Sequence, residues 1–422
     1  MQLSKFGTKF TGVSATVSLM DDLGEALNVN PDLLFMGGGN PAAIPAAEAI
    51  YQQALQKIAS NPNTLRKVLG TYQSPQGDPV LLRDLASYLN RQLGWSLTAA
   101  NIAIANGSQS AFSLLFNMFA GEYAQGLNKK VELPLVPEYI GYADLGFATD
   151  FFTANKPTIE LIDDHCFKYH VDFDRLAVDQ HSGLLCISRP TNPTGNVLTD
   201  TEVEQLASLA EQHNVPLMID GAYGLPFPNI VFTEAKPYWS DNTIVVSSLS
   251  KLGLPGVRTG IVIAHPDIID AFTQANTILN LACGNIGPAL LRELLVDEQI
   301  TRLCNTVIRP YYQTSVNQAC QWVAEAFVEL PYHYHKPEGA FFLWLWFKDL
   351  PIPSRELYQR LKARGLLVLA GEDFFVGLVQ DGSDQDWPHQ RECIRLTYCQ
   401  EPAVVKQGIE LIADEVRAIY QQ

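Results

Sequence analysis

Short apolar runs alternate with helical stretches over residues 69 to 290, which predicts an α/β protein with a mostly parallel sheet flanked by helices. Two further observations complete the fold class. The chain has 422 residues, enough for two domains. After a long helical stretch over residues 298 to 326 the pattern changes to strand, helix, two strands and helix, which reads as a smaller α+β domain. The expected organisation is an N-terminal arm (1–45) contributing to the small domain, a large domain (46–295) and a C-terminal small domain (296–422).

The strand candidates of the large domain are Ile102–Ala105 and residues 130–135, 184–188, 216–220, 243–247 and 260–264, each short and largely apolar. Residues 199 to 213 read as a helix with Leu206, Leu209 and Ala210 on one face. In the small domain, strands are expected at 340–347, 366–369 and 394–398, and helices at 354–363 and from Pro402. The polar stretch Gln380 to Gln390 reads as an exposed excursion. Tyr332-His333-Tyr334-His335 alternates like a strand, and with no cysteine or carboxylate cluster nearby it reads as an edge-strand surface; no metal is assigned.

Composition narrows the function classes. The formal net charge is −16 with no basic segment against it, which argues against nucleic acid or an anionic membrane as main partner. No run reaches membrane-spanning length, and the first 18 residues lack an apolar signal core. Seven scattered cysteines fit free thiols in a reducing compartment, so the expected location is cytoplasmic.

Several strand candidates end in residues suited to chemistry. Ser248-Leu249-Ser250-Lys251 sets an amine and two hydroxyls at a carboxyl edge of the sheet, where open α/β folds bind their ligands, and Arg258 follows. A lysine desolvated there can lose its proton and form a Schiff base with a carbonyl. Asn106-Gly107-Ser108-Gln109-Ser110 turns into a helix whose first N–H groups suit a phosphate. Arg189-Pro190-Thr191-Asn192-Pro193-Thr194-Gly195-Asn196 is an irregular loop that aims the Asn192 amide. Asp220 closes another strand, with Tyr223 three residues on. Taken singly, each has an ordinary reading: a solvated lysine, a serine N-cap, a strand-to-helix turn, an aspartate in a turn.

In this order the four segments are specific, and the chain resembles the fold-type I, class I/II aminotransferases, which use pyridoxal 5′-phosphate. Gly38-Gly39-Asn40-Pro41, Tyr72 with Gly77 and Arg83, Pro137-Glu138-Tyr139 and a late Arg395 extend the likeness over almost the whole chain. The resemblance implies a seven-stranded, mostly parallel sheet and a homodimer with shared active sites. Within the group, MGGGNPA from Met36, PEYIGYAD from Pro137, SRPTNPTGN from Ser188, SLSKLGLPG from Ser248 and KPEGAFFLWLWFKDLP from Lys336 are similar to the bacterial valine–pyruvate subgroup.

The likeness assigns roles residue by residue. Lys251 would anchor the cofactor's aldehyde and then move the substrate proton, while Asp220 would pair with the pyridine nitrogen. Tyr223 and Asn192 would hydrogen-bond the ring hydroxyl oxygen, and Tyr139 would stack on the ring. Backbone N–H groups of Ser108 and Gln109, the Ser248 hydroxyl and Arg258 would hold the phosphate, with Tyr72 reaching the neighbouring subunit's phosphate. The lysine-to-arginine spacing is one residue shorter than in many relatives, and Gly256 offers a turn to absorb it. Arg395 would bind the substrate α-carboxylate with help from Asn192 and the Gly38–Gly39 backbone; Arg391 is its nearest rival.

The substrates implied are small amino acids and 2-oxo acids, with valine as donor and pyruvate as acceptor. Broad alanine or aromatic aminotransferases and lyases of the same fold are the alternatives. A non-catalytic regulator with this fold would need a winged-helix domain ahead of motifs that begin here by Gly37. Phe374, Phe375 and Trp344 are aromatic candidates for the substrate pocket, with core packing the plainer role for Trp344. No second arginine for a dicarboxylate side chain is evident.

Overall fold

The apolar runs of the large domain assemble into one sheet in a computed structural model of the chain, which describes residues 2–12, 14, 16–18, 20–22, 24, 33–378 and 387–421. Its strands in spatial order are β2 (Ile102–Ala105), β11 (Gly260–Ile263), β10 (Thr243–Ser248), β9 (Leu217–Asp220), β8 (Ser182–Ser188) and β4 (Asn128–Leu133). The far side of β4 is shared by β5 (Phe152–Ala154) and a two-residue β3 (Gly121–Glu122). Pairings from β10 across to β5 are parallel, whereas β11 runs antiparallel to both its neighbours. Seven of the eight strands make the expected mostly parallel sheet, and β3 is a short antiparallel addition.

Every residue of β2, β8, β9 and β11 is buried, as covering helices on both faces of a parallel sheet require. The helix Asp200–Gln212 starts where expected. Thr199 accepts from the Glu202 N–H at 3.2 Å while the Glu202 carboxylate accepts from the Thr199 N–H at 2.8 Å, a reciprocal cap. It buries Val203, Leu206, Ala207 and Ala210, and Leu209 is half-buried at the edge of that face.

The second sheet runs β15 (Leu369–Ala370), β16 (Cys393–Thr397), β13 (Phe342–Phe347), β12 (Tyr332–His335), β7 (Cys166–His170) and β6 (Thr158–Leu161). Its last two strands come from mid-chain, and β7 pairs with β12 in parallel register, Tyr334 opposite Cys166. A two-stranded parallel pair, β1 (Leu34–Phe35) with β14 (Leu366–Leu367), ties the N-terminal region to the C-terminal one.

The expected edge strand at Tyr332–His335 is therefore corrected. With β7 on one side and β13 on the other, β12 is interior, and His335 is fully buried with Nε2 accepting the Tyr169 N–H at 3.1 Å. No cluster of three or more metal-ligating side chains occurs among the described residues.

The long helical stretch is interrupted: Gln299–Leu303 passes through a widened turn at Cys304–Ile308 into Arg309–Ala326, where Pro310 lacks the N–H to continue regular bonding. Of the polar stretch Gln380 to Gln390, residues 380–386 lie outside the described residues. Its end is less exposed than expected, since Pro388–Glu392 forms a helical turn that buries His389 and Gln390. No described helix is long and apolar enough to cross a membrane.

Candidate active site

The carboxyl ends of β2, β8, β9 and β10 converge on a cavity of about 320 Å³, closed on the other side by β16 and the chain after β1. Gly38, Gly39, Ser108, Gln109, Tyr139, Asn192, Asp220, Tyr223, Lys251, Arg258 and Arg395 all line it, although they span more than 350 residues of sequence (395 − 38 = 357).

Lys251 lies in a helical turn just past β10. Its Nζ donates to the Gly39 carbonyl at 2.6 Å and stands 5.6 and 5.5 Å from the ring centres of Tyr223 and Phe341. Burial in this apolar surround pulls its pKa down to about 8, so roughly a tenth of the amine is neutral at pH 7, far more than for a solvated lysine.

Asp220 is the last residue of β9, in register with Ser188 and Val246 on the flanking strands. Burial pushes its pKa up to about 6, opposed by the Tyr142 hydroxyl donating to Oδ2 at 2.8 Å and the Ala222 N–H donating to Oδ1 at 2.9 Å. Behind it, the fully buried Glu138 accepts from the Ser188 N–H at 2.8 Å and the Ser188 hydroxyl at 2.5 Å. Burial pushes this second carboxyl to about 8, which leaves Asp220 the more acidic of the two.

Arg395, on β16, is buried. Its Nη1 donates to the Asn192 amide oxygen at 2.8 Å and its Nη2 to the Gly37 carbonyl at 2.6 Å, while the guanidinium lies 4.1 Å above the Phe342 ring. Burial lowers its pKa to about 10, which still leaves it cationic. Among the described residues, two polar atoms around the cavity are buried without a partner: the Tyr223 hydroxyl and Arg395 Nε. Buried donors are ordinarily satisfied, so these two are poised for a ligand.

At the cavity's other end, Gly107 (φ +86°) turns the chain into the helix Ser108–Phe119, whose first turn has no side-chain cap. A Cβ on Gly107 would stand 2.3 Å from Arg258 Nη2, so only glycine lets the guanidinium reach the helix N-terminus. Helix N–H groups without a side-chain cap among the described residues, a helix dipole and a planar donor fork are together suited to an anion. Arg258 adopts a left-handed conformation (φ +43°) after the turn Pro255–Val257 and lines the cavity.

Other expected residues lie elsewhere. Ser248 is fully buried behind the cavity lining and its hydroxyl accepts the Ser250 N–H at 3.2 Å; within this segment it is Ser250 and Lys251 that line the cavity. Tyr72 is 83% exposed and lies outside this chain's cavity. Arg391 is exposed on the helical turn after Trp387 and does not line the cavity. Trp344 is buried with Nε1 donating to the Tyr169 hydroxyl at 3.2 Å, and Phe374 packs beneath Arg395 at 5.3 Å. The apolar wall of the cavity is instead Met20, Phe35, Phe112 and Ile140. Tyr142 escaped the sequence reading, although its three-residue spacing from Tyr139 in PEYIGYAD spans one turn and stacks the two rings edge-on at 5.3 Å.

Comparison with known proteins gives the family and the fold. The family model for aminotransferase class I and II matches residues 38–412. The chain is 48% identical to the valine–pyruvate aminotransferase of Escherichia coli K12 over 422 residues, covering 100% of both chains. It superposes on the solved valine–pyruvate aminotransferase of Salmonella typhimurium LT2 with a TM-score of 0.88 at 46% identity, covering 97% of this chain and 100% of that one. A solved Psychrobacter arcticum 273-4 protein gives a TM-score of 0.96 at 41% identity, covering 100% of both. A full-length relative at this identity, a family match from residue 38 to residue 412 and a shared fold lead to one conclusion: the chain belongs to the class I and II aminotransferases.

Proposed function

We propose that the chain transfers the amino group of L-valine to pyruvate, yielding 3-methyl-2-oxobutanoate and L-alanine, with pyridoxal 5′-phosphate as cofactor. The observation that carries the chemistry is the convergence of Lys251, Asp220 and Arg395 on one cavity. The substrate pair is that named for the E. coli relative at 48% identity over both full chains.

The residues fit the cofactor. An anion site at Ser108, Gln109 and Arg258, a buried carboxylate at Asp220 and an unpartnered Tyr223 hydroxyl match a phosphate, a pyridine nitrogen and a ring hydroxyl. Bound there, the cofactor supplies an aldehyde for the Lys251 amine and a ring that accepts the electron pair left by Cα deprotonation. Asp220 keeps a proton on the ring nitrogen, and Tyr142 keeps Asp220 ionised for that task. Tyr223 and the Asn192 amide would donate to the ring oxygen, and Tyr139 would cover the ring face. Arg395 orients the substrate by its α-carboxylate, aided by Asn192 and the backbone at Gly38 and Gly39. The Lys251 amine, with its lowered pKa, would take the proton from the substrate Cα once the substrate's amino group has displaced it from the aldehyde carbon.

A homodimer belongs to the same proposal. Leu69, Tyr72, Ile278, Leu279 and Leu281 are 64–84% exposed, and Asn285 Nδ2 ties the second of these segments to the first through the Val68 and Thr71 carbonyls at 3.1 and 2.8 Å. An apolar patch of this kind favours a partner surface. A cytoplasmic location accords with seven unpaired cysteines.

Steady-state rates of the purified protein with a panel of amino donors and pyruvate as acceptor test the reading. Valine is expected to lead the panel. Turnover confined to aromatic or dicarboxylic donors, or none at all, would overturn it.

A further inference from the structure

The loop over residues 189–197 presents Asn192 to Arg395, and its opposite end is held by an ion pair outside the cavity. Lys168, on β7, uses its three ammonium donors on the Glu338 carboxylate, the Asn196 side-chain oxygen at 2.9 Å and the Val197 carbonyl at 2.9 Å. Glu338 Oε2 also accepts the Val197 N–H at 3.1 Å, and its Oε1 faces Lys336 Nζ at 3.2 Å. Both side chains are nearly fully buried, at 6% and 5% exposure.

Asn196 passes the restraint inward. Its Nδ2 donates to the Tyr169 carbonyl at 3.1 Å and its own carbonyl accepts the Thr191 N–H at 2.8 Å, one residue from Asn192. The backbone beside Glu338 presses on the same loop. A Cβ on Gly195 (φ +72°) would stand 2.6 Å from the Gly339 carbonyl, and one on Gly339 would stand 2.4 Å from Pro190 Cγ. Residues 336–341 connect β12 to β13, and β13 pairs with β16 so that Trp344 lies opposite Arg395. One connection thus touches the loop carrying Asn192 and leads directly into the strand beside Arg395.

We propose that Lys168 and Glu338 are positioning residues, which pin the 189–197 loop to the second sheet and so set Asn192 at the correct distance from Arg395 for a substrate carboxylate. A buried ion pair is a weak source of stability, because desolvation cancels much of the attraction and apolar replacements of similar volume are often neutral. Its contribution here is a defined geometry: an apolar pair would fill the space without specifying where Asn196 and Val197 stop. The inference rests on the proposed roles of Asn192 and Arg395.

The test is the double variant Lys168→Met with Glu338→Leu, studied as holoenzyme. The KM for valine and for pyruvate should rise about tenfold, with kcat within a factor of about three, because misplacement weakens carboxylate binding. Binding of the unreactive carboxylate 3-methylbutanoate should weaken in parallel, while affinity of the apoprotein for pyridoxal 5′-phosphate stays at the wild-type value. Wild-type KM and analogue affinity in a folded double variant overturn the proposal. So does a common loss of cofactor affinity, analogue binding and thermal stability, which marks a purely structural pair. Should the double variant fail to fold, Glu338→Gln carries the test: it keeps the oxygen that accepts from Val197 and loses the charge, and an unchanged KM overturns the proposal. A wild-type protein that neither transaminates nor binds 3-methylbutanoate refutes the functional reading itself.

Discussion

Tyr142 donates its hydroxyl to Asp220 Oδ2 across 2.8 Å, so a residue 78 positions earlier in the chain orients the carboxylate that ends β9. Burial alone would drive Asp220 toward its neutral form; this hydrogen bond and that from Ala222 N–H oppose it. Tyr142→Phe therefore removes about 1.5–3 kcal/mol of support for the charged carboxylate. The pKa of Asp220 rises, and the acidic limb of the kcat/KM profile moves to higher pH. An unmoved acidic limb would show that Tyr142 does not tune the carboxylate.

Lys251→Ala should abolish turnover and the visible absorption band that borohydride removes from the wild-type holoprotein. Cofactor retention falls only partly, since the helix terminus at Ser108 and the Arg258 guanidinium still face its phosphate. Near-normal turnover in this variant is incompatible with the assignment of Lys251 as anchor and base.

Arg395→Lys keeps the charge and loses the planar fork that now reaches Asn192 and Gly37 together. Catalytic efficiency should drop by about 1.5–3 kcal/mol of transition-state stabilisation for valine, alanine and pyruvate alike. The absorption spectrum of the resting holoprotein should hold, because the substrate carboxylate and not the cofactor is the partner. Unchanged efficiency would transfer the role to another cation.

Tyr72 tests subunit sharing, since it stands 83% exposed outside its own chain's cavity. Mixing Tyr72→Ala chains with Lys251→Ala chains should regain activity beyond either parent, because one of the two sites in a mixed dimer escapes both lesions. A monomer in solution, or no regain on mixing, removes the shared site.

The His170–Glu202 pair makes stability depend on pH. Burial pushes the Glu202 pKa up, but hydrogen bonds from His170, Thr199 and Val171 outweigh it and hold the carboxyl at about 2. A depressed carboxylate contributes stability above its unfolded pKa and loses it as pH falls through the folded value. Glu202→Gln should accordingly lower the melting temperature at pH 6, with the difference shrinking toward pH 2. His170 shifts upward, mainly through its bond to Glu202, so its contribution is complete below 6.5 and fades as pH rises through the folded value. Parallel melts of His170→Asn that differ from wild type equally at acid and alkaline pH would exclude this linkage.

Lys251, Asp220, Asn192 and the Gly107-Ser108-Gln109 turn were legible in sequence because each follows an apolar run whose length and burial mark a strand. In a parallel sheet every such carboxyl end opens toward the same crevice. Arg395 was implied by the resemblance, and burial within β16 obliges its charge to find partners such as Asn192.

What depended on distant pairing was not legible. The strands β6 and β7, with sequences TIEL and CFKYH, carry weak local signals and exist by pairing with each other and with β12. That pairing alone made Tyr332–His335 interior and brought Lys168 to the Asn192 loop. Whether Ser248 or Ser250 lines the cavity was set by the helical turn that follows β10, whose path depends on what packs around it. The sequence by itself determined the strand order of the chemistry and the residues that end each strand, because local patterning encodes both. Only tertiary structure decided which side chains from separate strands meet, since those contacts follow from long-range register and burial that no local window contains.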